Sequence, residues 1–471
     1  MRGNNKISYK PYIPLNKKED EKKPYICRLA PYETGFELEW FDKFDNGEHY
    51  IYFSKVGINQ FEKEKLNDRT HRVDNLDAYC DYCFYIENEK GIRSNRRLVR
   101  TGRVPGVVVN YLHPNDKQYI FSGKYLCSPS LVRLENGEII ASMDLFGGGM
   151  PQNLMILFKS ADNGVTWNYL TDLFPFYWGS LFVHHNKLYV LGLTTEYGDL
   201  QIACSENGGE DWSSPVTLFR GSNFRCQMGG MHRAPMTVIN YNGRLWTSAE
   251  YGSWAMGGHL PMVLSIKEND DLLIPENWCM SEPLKFEGDW LAESRRRSGA
   301  SVLDITIDSD GNILGEKRGD SIEGNIVVGK DGNIYNIMRY FPNEALYLKV
   351  DEKDPEKKLK FDGILPFDMG HSKFQISQHE SGIYYAVGNR LPKRNIVSLY
   401  KSDDLKNWVF VKDILDYKDY DLTKVGFQYP YFIFDGDEIL LLLRTAFNNA
   451  DTFHNTNYTI FIRCSINQAS V

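Results

Sequence analysis

The sequence predicts an all-β protein, and two repeated patterns carry this prediction. The first is a turn, S-A-D-N-G-V-T-W at residues 160–167, which recurs as S-E-N-G-G-E-D-W at 205–212 and in the shorter form S-D-D-L-K-N-W at 402–408. In such a turn a short Asp or Asn side chain bonds backbone amides, glycine tolerates a positive φ, and tryptophan caps an apolar edge. We therefore expect these residues to be structural and not catalytic.

The second pattern is a pair of short alternating strands joined by a polar turn. Its copies start about 50 to 58 residues apart, except for a gap of 88 residues between the third and the fourth. The six copies begin at Pro129, Ser180, Met236, Gly324, Ser372 and Pro430. Apolar residues at every second position, Asn-Gly and Asp-Gly turns and this spacing predict a β-propeller. Six repeats are traceable, and the interval 257–323 is long enough to contain a seventh.

The composition indicates a soluble globular protein, with 14% aromatic and 25% charged residues among 471. Residues 1–23 are polar and rich in lysine, without an apolar run that could serve as a secretion signal or a membrane span, so we expect a flexible leader. On this basis a cytoplasmic location is expected, with export by another route left open. The net charge of −8 argues against nucleic acid or an acidic membrane as partner, but is compatible with a local basic pocket.

Residues 24–105 follow a different pattern, and we expect them to form a small β-sandwich before a propeller at 106–471. The spacing of Leu76, Tyr82 and Phe84 resembles the L-x-P-x-T-x-Y-x-F run of fibronectin type III domains, with Ala78 and Cys80 in place of the proline and threonine. The resemblance implies that Tyr82 pins the corner of the sandwich. We expect a spacer or sugar-orienting module without chemistry of its own.

Five segments of the propeller contain residues that turn formation does not explain. They are F-G-G-G-M (146–150), Q-M-G-G-M-H-R-A-P (227–235), F-D-M-G-H-S-K-F (367–374), G-F-Q-Y-P-Y (426–431) and F-H-N-T-N-Y (453–458). Propellers gather loops from every blade around a central depression, where polar residues from distant segments converge. The candidates at comparable blade edges are His232, Arg233, His371, Tyr429 and His454.

Several motifs in a shared order resemble the sialidase-like (Asp-box) propellers of glycoside hydrolase family 145 and the related rhamnose-glucuronate lyases. The series is D-L-F-G, H-R-A-P, E-G-N, G-H-S-K-F, F-Q-Y, R-T-A and N-T-N-Y, and it spans residues 107–463. The resemblance implies a seven-bladed propeller that removes terminal L-rhamnose α-1,4-linked to D-glucuronate.

Two departures from these families bear on the activity. Where sialidases carry the arginine of R-I-P, this chain reads C-S-P at 127–129, and the loss of one of three carboxylate-binding arginines argues against ordinary sialidase activity. Where the rhamnose-removing relatives carry the histidine of S-H-D-x-F-G, this chain has Met143. Methionine cannot transfer a proton, so a different histidine would have to serve.

A lyase needs a cation to neutralise the uronate carboxylate, a base, and an acid for the leaving oxygen. The chain offers His232, His371 or His454 as the base, Tyr429 as acid or base, and Arg233, Arg339 or Arg444 as the cation. Arg339 and Arg444 could equally be buried ion-pair partners between blades. We expect no metal or other cofactor.

A glycoside hydrolase would instead need two carboxylates roughly 5 to 10 Å apart. Asp144, Glu250 and Glu323 are the best-placed candidates. Trp178 is expected to stack on a sugar face, although a role in blade packing is as common. Gln428, in the F-Q-Y motif, completes the set of expected substrate contacts.

Two classes of function follow from these residues. The first is an enzyme acting on the terminal sugar of an acidic glycan, with a lyase preferred over a hydrolase because histidine, tyrosine and arginine outnumber paired acids in the candidate segments. The second is a catalytically silent sugar-binding propeller whose N-terminal module is a spacer. In both cases the expected partner is an anionic oligosaccharide or polysaccharide.

Overall fold

The regular structure of the chain is dominated by β-strands, which confirms the all-β prediction. The computed structural model describes residues 22–222, 229–253, 258–285, 287, 290, 321–341, 343–390 and 394–467. A 3₁₀ turn lies at Pro275–Asn277. In this part of the chain no helix has the length and apolar character needed to cross a membrane.

The N-terminal region is a sandwich of two antiparallel sheets, with strand orders β1-β2-β5 and β4-β3-β6-β7. Its strands are β1 (Tyr25–Tyr32), β2 (Gly35–Phe41), β3 (His49–Lys55), β4 (Glu62–Leu66), β5 (Thr70–Val73), β6 (Asp81–Asn88) and β7 (Arg97–Arg100). Phe36, Ile51 and Phe84 meet in the core between the sheets. The Tyr82 hydroxyl accepts a hydrogen bond from the backbone N–H of Asp77 at 2.9 Å, which ties β6 to the segment that follows β5.

Six further sheets form the blades of a propeller in the described residues. Blade 1 contains β9 (Tyr125–Arg133), β10 (Ile139–Phe146), β11 (Met155–Ser160) and β12 (Asn168–Leu173). Blade 2 contains β13 (Tyr177–His184), β14 (Lys187–Leu193), β15 (Leu200–Ser205) and β16 (Val216–Phe219). Blade 3 contains β17 (Gly230–His232), β18 (Ile239–Tyr241), β19 (Arg244–Ser253), β20 (Gly258–Lys267) and β21 (Cys279–Met280). Blade 4 contains β22 (Ile322–Val328), β23 (Ile334–Phe341), β24 (Glu344–Lys349) and β25 (Lys360–Pro366). Blade 5 contains β26 (Gln375–Gln378), β27 (Tyr384–Gly388), β28 (Ile396–Ser402) and β29 (Val409–Asp416). Blade 6 contains β30 (Gly426–Asp435), β31 (Glu438–Ala446), β32 (Tyr458–Ser465) and β8 (Val107–Tyr111).

Blade 6 closes the ring of blades. It takes three strands from the end of the described chain and its outermost strand, β8, from the start of the propeller. The first strand of blade 1 in turn packs against blade 6. A sheet built from both ends of a propeller joins the first blade to the last, and the ring has no free edge there.

The two sequence repeats correspond to fixed places in the blades. The hairpin repeat falls on the first two strands of every blade except blade 3, where it falls on β18 and β19. Each turn repeat lies between the third and fourth strands of blade 1, 2 or 5. In the first turn Gly164 donates to Ser160 Oγ and Thr166 donates to Asp162, both from the backbone at 2.8 Å. The long interval before Gly324 supplies β20 and β21 to blade 3. No seventh blade occurs in the described residues, and 291–320 lie outside them.

A repeated hydrogen bond links the first strands of neighbouring blades. In four places a buried polar side chain accepts from a backbone N–H of the next blade. The pairs are Ser130 with Leu181 (2.9 Å), Ser180 with Met236 (2.9 Å), Asn325 with Ile376 (2.8 Å) and Gln375 with Phe432 (2.8 Å). We call these four bonds the blade latches. Because buried polar groups are costly unless paired, the latches favour one alignment of the blades.

The sandwich is fixed against the side of the propeller. Arg97 forms a buried ion pair with Asp116 at 2.7 Å, and its Nη1 donates to the carbonyl of Ile26. Tyr25 and Cys27 of β1 belong to the same hydrophobic core as blade 1. The two regions therefore share buried apolar and charged contacts.

Candidate functional site

Three blades place a non-glycine residue in the left-handed region of backbone conformation at the start of the first strand. The φ values are 51° at Trp178, 58° at Glu323 and 54° at Tyr429. Each residue lies in a break of strand register. Such register breaks are typical of β-bulges, which change the direction of side chains. Residues with a strained backbone of this kind are concentrated at functional sites. We call the end of the central channel where these residues lie the mouth.

Five side chains from blades 4, 5 and 6 form a charged cluster at the mouth: Glu323, Arg339, Arg394, Tyr429 and Arg444. Arg339 Nη1 lies 3.2 Å from Glu323 Oε2. The guanidinium of Arg444 lies 4.9 Å from the centre of the Tyr429 ring. Burial and the charges of Arg339 and Arg444 lower the pKa of Arg394, whereas Tyr429 and Glu323 oppose that shift. The structure thus brings together four residues that the sequence singled out, with Arg394 added.

Tyr429 and Glu323 are a neighbouring phenol and carboxylate. Burial alone would raise the pKa of Glu323, but Arg339, a hydrogen bond from Tyr429 and the charges of His232 and Lys373 lower it overall. Burial and the neighbouring Glu323 raise the pKa of Tyr429. At neutral pH the pair is therefore an ionised carboxylate that accepts the proton of a neutral phenol.

Two buried residues support the charged cluster from behind. Gln428 Oε1 accepts a hydrogen bond from Arg394 Nη1 at 2.6 Å, and its amide nitrogen donates to the carbonyl of Phe453. Lys373 Nζ donates to the carbonyl of Pro430, directly after Tyr429, at 2.7 Å. Burial lowers the pKa of Lys373 to about 7, against the attraction of Glu323. Gln428 therefore holds an arginine, whereas the sequence predicted a substrate contact for it.

Arg444 lies beside the C-S-P segment of blade 1. Its Nη1 donates to Cys127 Sγ at 3.3 Å, its Nε to Thr456 at 3.2 Å and its Nη2 to the carbonyl of His454 at 2.6 Å. The sequence argument against ordinary sialidase activity rested on the missing arginine at position 127. The structure places a guanidinium from another blade next to that position, and three arginines still surround Tyr429 and Glu323.

An aromatic cluster from blades 2 and 3 forms the other side of the mouth: Trp178, Tyr197, His232, Glu250 and His259. The ring of His232 is centred 4.5 Å from Trp178 and 4.5 Å from His259. Its Nδ1 lies 2.9 Å from Glu250 Oε2, and Glu250 Oε1 accepts from the backbone N–H of Gly324 at 3.3 Å. His232 is oriented by a carboxylate, but its catalytic role stays a prediction.

Asp144 lies beneath Trp178. Its Oδ2 accepts a hydrogen bond from the Trp178 backbone at 3.0 Å. Burial raises the pKa of Asp144 well above its usual range, although the backbone N–H groups of Trp178 and Gly179 oppose the shift. Within the described residues, neither Asp144 Oδ1 nor Trp178 Nε1 has a hydrogen-bond partner.

The two remaining candidate histidines are neutral at neutral pH. Burial, Arg394 and Arg339 lower the pKa of His371 to about 4, and neither ring nitrogen has a hydrogen-bond partner in the described part of the chain. The positive charges of Arg444 and Arg394 lower the pKa of His454 to about 3. His371 lies beside the charged cluster, while His454 is exposed and packs edge-on against Phe146.

Arg233 is not brought into either cluster. It is 1% exposed, and its guanidinium donates to Ser180 Oγ at 2.6 Å, Thr247 Oγ1 at 2.8 Å and the carbonyl of Met236 at 3.1 Å. These contacts join blades 2 and 3, so its position gives the predicted substrate contact no support. Met143, at the position of the expected histidine, is fully buried in a hydrophobic core.

The sequence reasoning missed Arg394, Lys373, Glu196 and Gln152. Arg339 and Arg444 were found because they end the second strand of a blade. Glu196 and Arg394 lie three and six residues beyond the equivalent strands β14 and β27, so extending the same rule into the loops would have found them. Lys373 lay inside the G-H-S-K-F motif. Among the described residues, no three His, Cys, Asp or Glu side chains are grouped so that they could hold a metal ion.

No family model and no curated protein matches this sequence. In structure the chain is similar to an α-L-arabinanase of Penicillium chrysogenum complexed with arabinobiose, with 12% identity, a TM-score of 0.51, and coverage of 77% of this chain and 98% of that one. It is also similar to a Hadza microbial sialidase, with 11% identity, a TM-score of 0.50, and coverage of 97% of this chain and 99% of that one. At these identities the likeness concerns the fold, and it confirms the predicted sialidase-like propeller.

Proposed function

We propose that this chain is a carbohydrate-active enzyme that hydrolyses a terminal, carboxylate-bearing sugar from an acidic glycan. The observation that carries the proposal is the charged cluster, in which Tyr429 and Glu323 are neighbours and the charges of three guanidiniums act on Tyr429. The two structural neighbours are named for activities on carbohydrates, which supports a sugar substrate. The sequence-based preference for a lyase becomes the second candidate.

Arg339 and Arg394, which are partly exposed, supply the affinity for an anion, and the buried Arg444 adds its positive charge. Guanidinium groups bind carboxylates through charge-assisted and often bidentate hydrogen bonds. Their local positive charge stands within a chain whose net charge is −8, so the mouth concentrates an anionic ligand where the rest of the surface repels it.

Tyr429 and Glu323 supply the nucleophile and its base. An activated nucleophile is recognised by a base within hydrogen-bonding reach and a third group that orients the base. Here the phenol, Glu323 and Arg339 fill those places. As the Tyr429 oxygen bonds to the anomeric carbon and the bond to the leaving oxygen breaks, Glu323 takes the phenol proton and an acid protonates the leaving oxygen. Water then displaces the Tyr429 oxygen, which regains its proton from Glu323, and the two displacements retain the anomeric configuration.

The second candidate is lyase action on L-rhamnose-α-1,4-D-glucuronate. It is favoured by His371, a neutral imidazole beside Arg394 and Arg339, because a lyase needs a neutral base next to groups that bind the uronate carboxylate. The hydrolase ranks above it because the charged cluster places a phenol, Tyr429, next to a carboxylate, Glu323, that is itself paired with Arg339. The products separate the two, since a lyase leaves an unsaturated uronate.

The sandwich is proposed to be a fibronectin type III-like support. Its three-stranded and four-stranded sheets and the Tyr82 contact with Asp77 support this assignment. The buried pair of Arg97 and Asp116 supports a fixed module more than a mobile spacer.

The proposal is tested with a panel of 4-methylumbelliferyl glycosides of N-acetylneuraminate, D-glucuronate, L-arabinofuranose and L-rhamnose, together with a rhamnose-capped glucuronate oligosaccharide. We expect fluorescence from an acidic glycoside and none from the neutral two. Tyr429→Phe and Glu323→Gln should each lower kcat/KM by roughly 10²- to 10⁴-fold. Tyr420→Phe, at an exposed tyrosine, is the matched control.

Full activity of Tyr429→Phe, or equal cleavage of acidic and neutral glycosides, would contradict the hydrolase. Ultraviolet absorbance from an unsaturated uronate with released rhamnose would select the lyase. Binding of the acidic oligosaccharide without cleavage of any substrate would select the catalytically silent, sugar-binding propeller.

A further inference from the structure

The loop between β14 and β15 brings a carboxyl group, Glu196, to the aromatic side of the mouth. The residue before it, Thr195, donates its hydroxyl proton to the carbonyl of Pro151 in blade 1. The residue after it, Tyr197, forms a β-bridge with Met231 in blade 3. Glu196 is therefore held between anchors on both neighbouring blades.

Gln152 fixes the orientation of this carboxyl group. Its Oε1 accepts a hydrogen bond from the backbone N–H of Gly147 at 3.0 Å. A backbone N–H is always a donor, so the amide oxygen must face Gly147 and the NH₂ group must face Glu196. That NH₂ group donates to Glu196 Oε2 at 2.9 Å. Oε2 is thus an acceptor, which favours Oε1 as the oxygen that carries the proton when Glu196 is protonated.

Glu196 and Glu323 are both close enough to His232 for its charge to act on them. The β-bridge of Tyr197 is to Met231, directly before His232, and the rings of Tyr197 and His232 are centred 6.2 Å apart. Arg339 pairs with Glu323, whereas among the described residues Gln152 and His232 act on Glu196.

Among the described residues, Glu250 of the aromatic cluster and the nearby Asp144 are less suited to proton transfer. Asp144 and Glu250 are each 1% exposed. Glu250 is committed to His232, and Asp144 lies under the Trp178 backbone. Glu196 is partly exposed at the mouth, where a sugar oxygen can reach it.

We propose that Glu196 is the general acid that protonates the leaving oxygen, an assignment that rests on the proposed hydrolase. The proton passes from Oε1 to the leaving oxygen as the bond between that oxygen and the anomeric carbon breaks. The resulting carboxylate then takes a proton from the water that displaces Tyr429, which restores the acid. Burial raises the pKa of Glu196, against Gln152 and His232, and so keeps more of it protonated near neutral pH.

The test uses Glu196→Gln and two substrates of the acidic sugar that the wild-type protein releases in the panel above: the 4-methylumbelliferyl glycoside and the lactoside. An aryl leaving group departs without protonation, while a sugar alkoxide does not. We expect kcat/KM of Glu196→Gln to stay within about tenfold of wild type on the aryl glycoside and to fall by roughly 10²- to 10⁴-fold on the lactoside.

Glu206→Gln is the matched control, because Glu206 is an exposed glutamate of the same blade that pairs with Lys187. It should leave both substrates unaffected. Equal losses of Glu196→Gln on both substrates, or no loss on the lactoside, would overturn the role of Glu196 but leave the proposed hydrolase standing. A wild-type protein inactive on every acidic glycoside would overturn the proposed hydrolase and this assignment with it.

Discussion

At the scale of single residues, the left-handed backbone of Trp178, Glu323 and Tyr429 distinguishes the mouth from the rest of the propeller. Large side chains rarely adopt this conformation, and it persists only where surrounding contacts enforce it. Lys373 bonded to the carbonyl of Pro430 is one such contact for Tyr429. The cost of this strain is compatible with a site whose side chains must be aimed accurately.

Arg339 is predicted to set the acid limb of the pH profile through Glu323. Glu323 must be ionised to take the Tyr429 proton, so kcat/KM falls as pH drops through its pKa. Arg339 lowers that pKa, so Arg339→Met should move the acid limb to higher pH. Arg394→Met is the control, since it should weaken substrate binding without moving the limb. An acid limb at the wild-type position in Arg339→Met would contradict this role.

Gln152 is predicted to set the alkaline limb through Glu196. Activity on the lactoside requires protonated Glu196 and is lost as pH rises through its pKa. The hydrogen bond from Gln152 lowers that pKa, so Gln152→Leu should move the alkaline limb to higher pH. The measurement is kcat/KM against pH, with Gln60→Leu at an exposed position as control. A limb that is unmoved or moves to lower pH would show that Gln152 does not act on the acid.

The sequence identified candidate residues better than it showed which of their side chains reach the mouth. Glu323, Arg339, Tyr429 and Arg444 were all candidates, because each stands at a strand end next to an unusual motif. Arg233 was a candidate for the same reason, yet its side chain turns into the contact between blades. A sequence pattern does not show in which direction a side chain points. The register breaks that turn Glu323 and Tyr429 toward the mouth are not visible in the sequence.

At the scale of elements, the blade latches are predicted to contribute to stability. Gln375→Leu removes an acceptor and leaves the buried N–H of Phe432 unpaired. We expect the free energy of unfolding to fall by about 1 to 3 kcal/mol, measured by denaturant titration. Gln378→Leu, at an exposed position of the same strand, should change it by less than about 0.5 kcal/mol. Equal effects of the two substitutions would contradict the latch role.

The sequence predicted the inner half of each blade better than the outer half. The first two strands carry the alternating pattern and the glycine turn, and all six hairpins were found. Third and fourth strands were marked only where a Trp-containing turn joins them. The pairing of β8 with β32 could not be predicted from the sequence, because the two strands lie about 350 residues apart and no local pattern indicates that they pair.

At the scale of the whole molecule, the sandwich and the propeller are predicted to unfold together. They share a hydrophobic core, and the buried pair of Arg97 and Asp116 lies between them. Calorimetry should give one transition for the full chain. Arg97→Met leaves a buried carboxylate unpaired and should lower the free energy of unfolding by about 3 to 5 kcal/mol. Arg96→Met, at an exposed position, is the control and should leave the free energy of unfolding nearly unchanged. Two separate transitions in the wild-type protein would contradict the prediction.

The mouth as a whole has two chemically different sides. Blades 4 to 6 supply arginines, and blades 1 to 3 supply aromatic rings and carboxyl groups. We expect this division to orient an acidic sugar, with its carboxylate toward the arginines and its leaving group toward Glu196.

The measurement that tests the central claim most directly is proton NMR of the first product formed from the acidic glycoside that the protein cleaves. A Tyr429 nucleophile predicts that the released sugar appears first with the anomeric configuration of the substrate and only later equilibrates. Initial formation of the opposite anomer would exclude the Tyr429 intermediate. The olefinic signal of an unsaturated uronate would contradict hydrolysis and establish the lyase in its place.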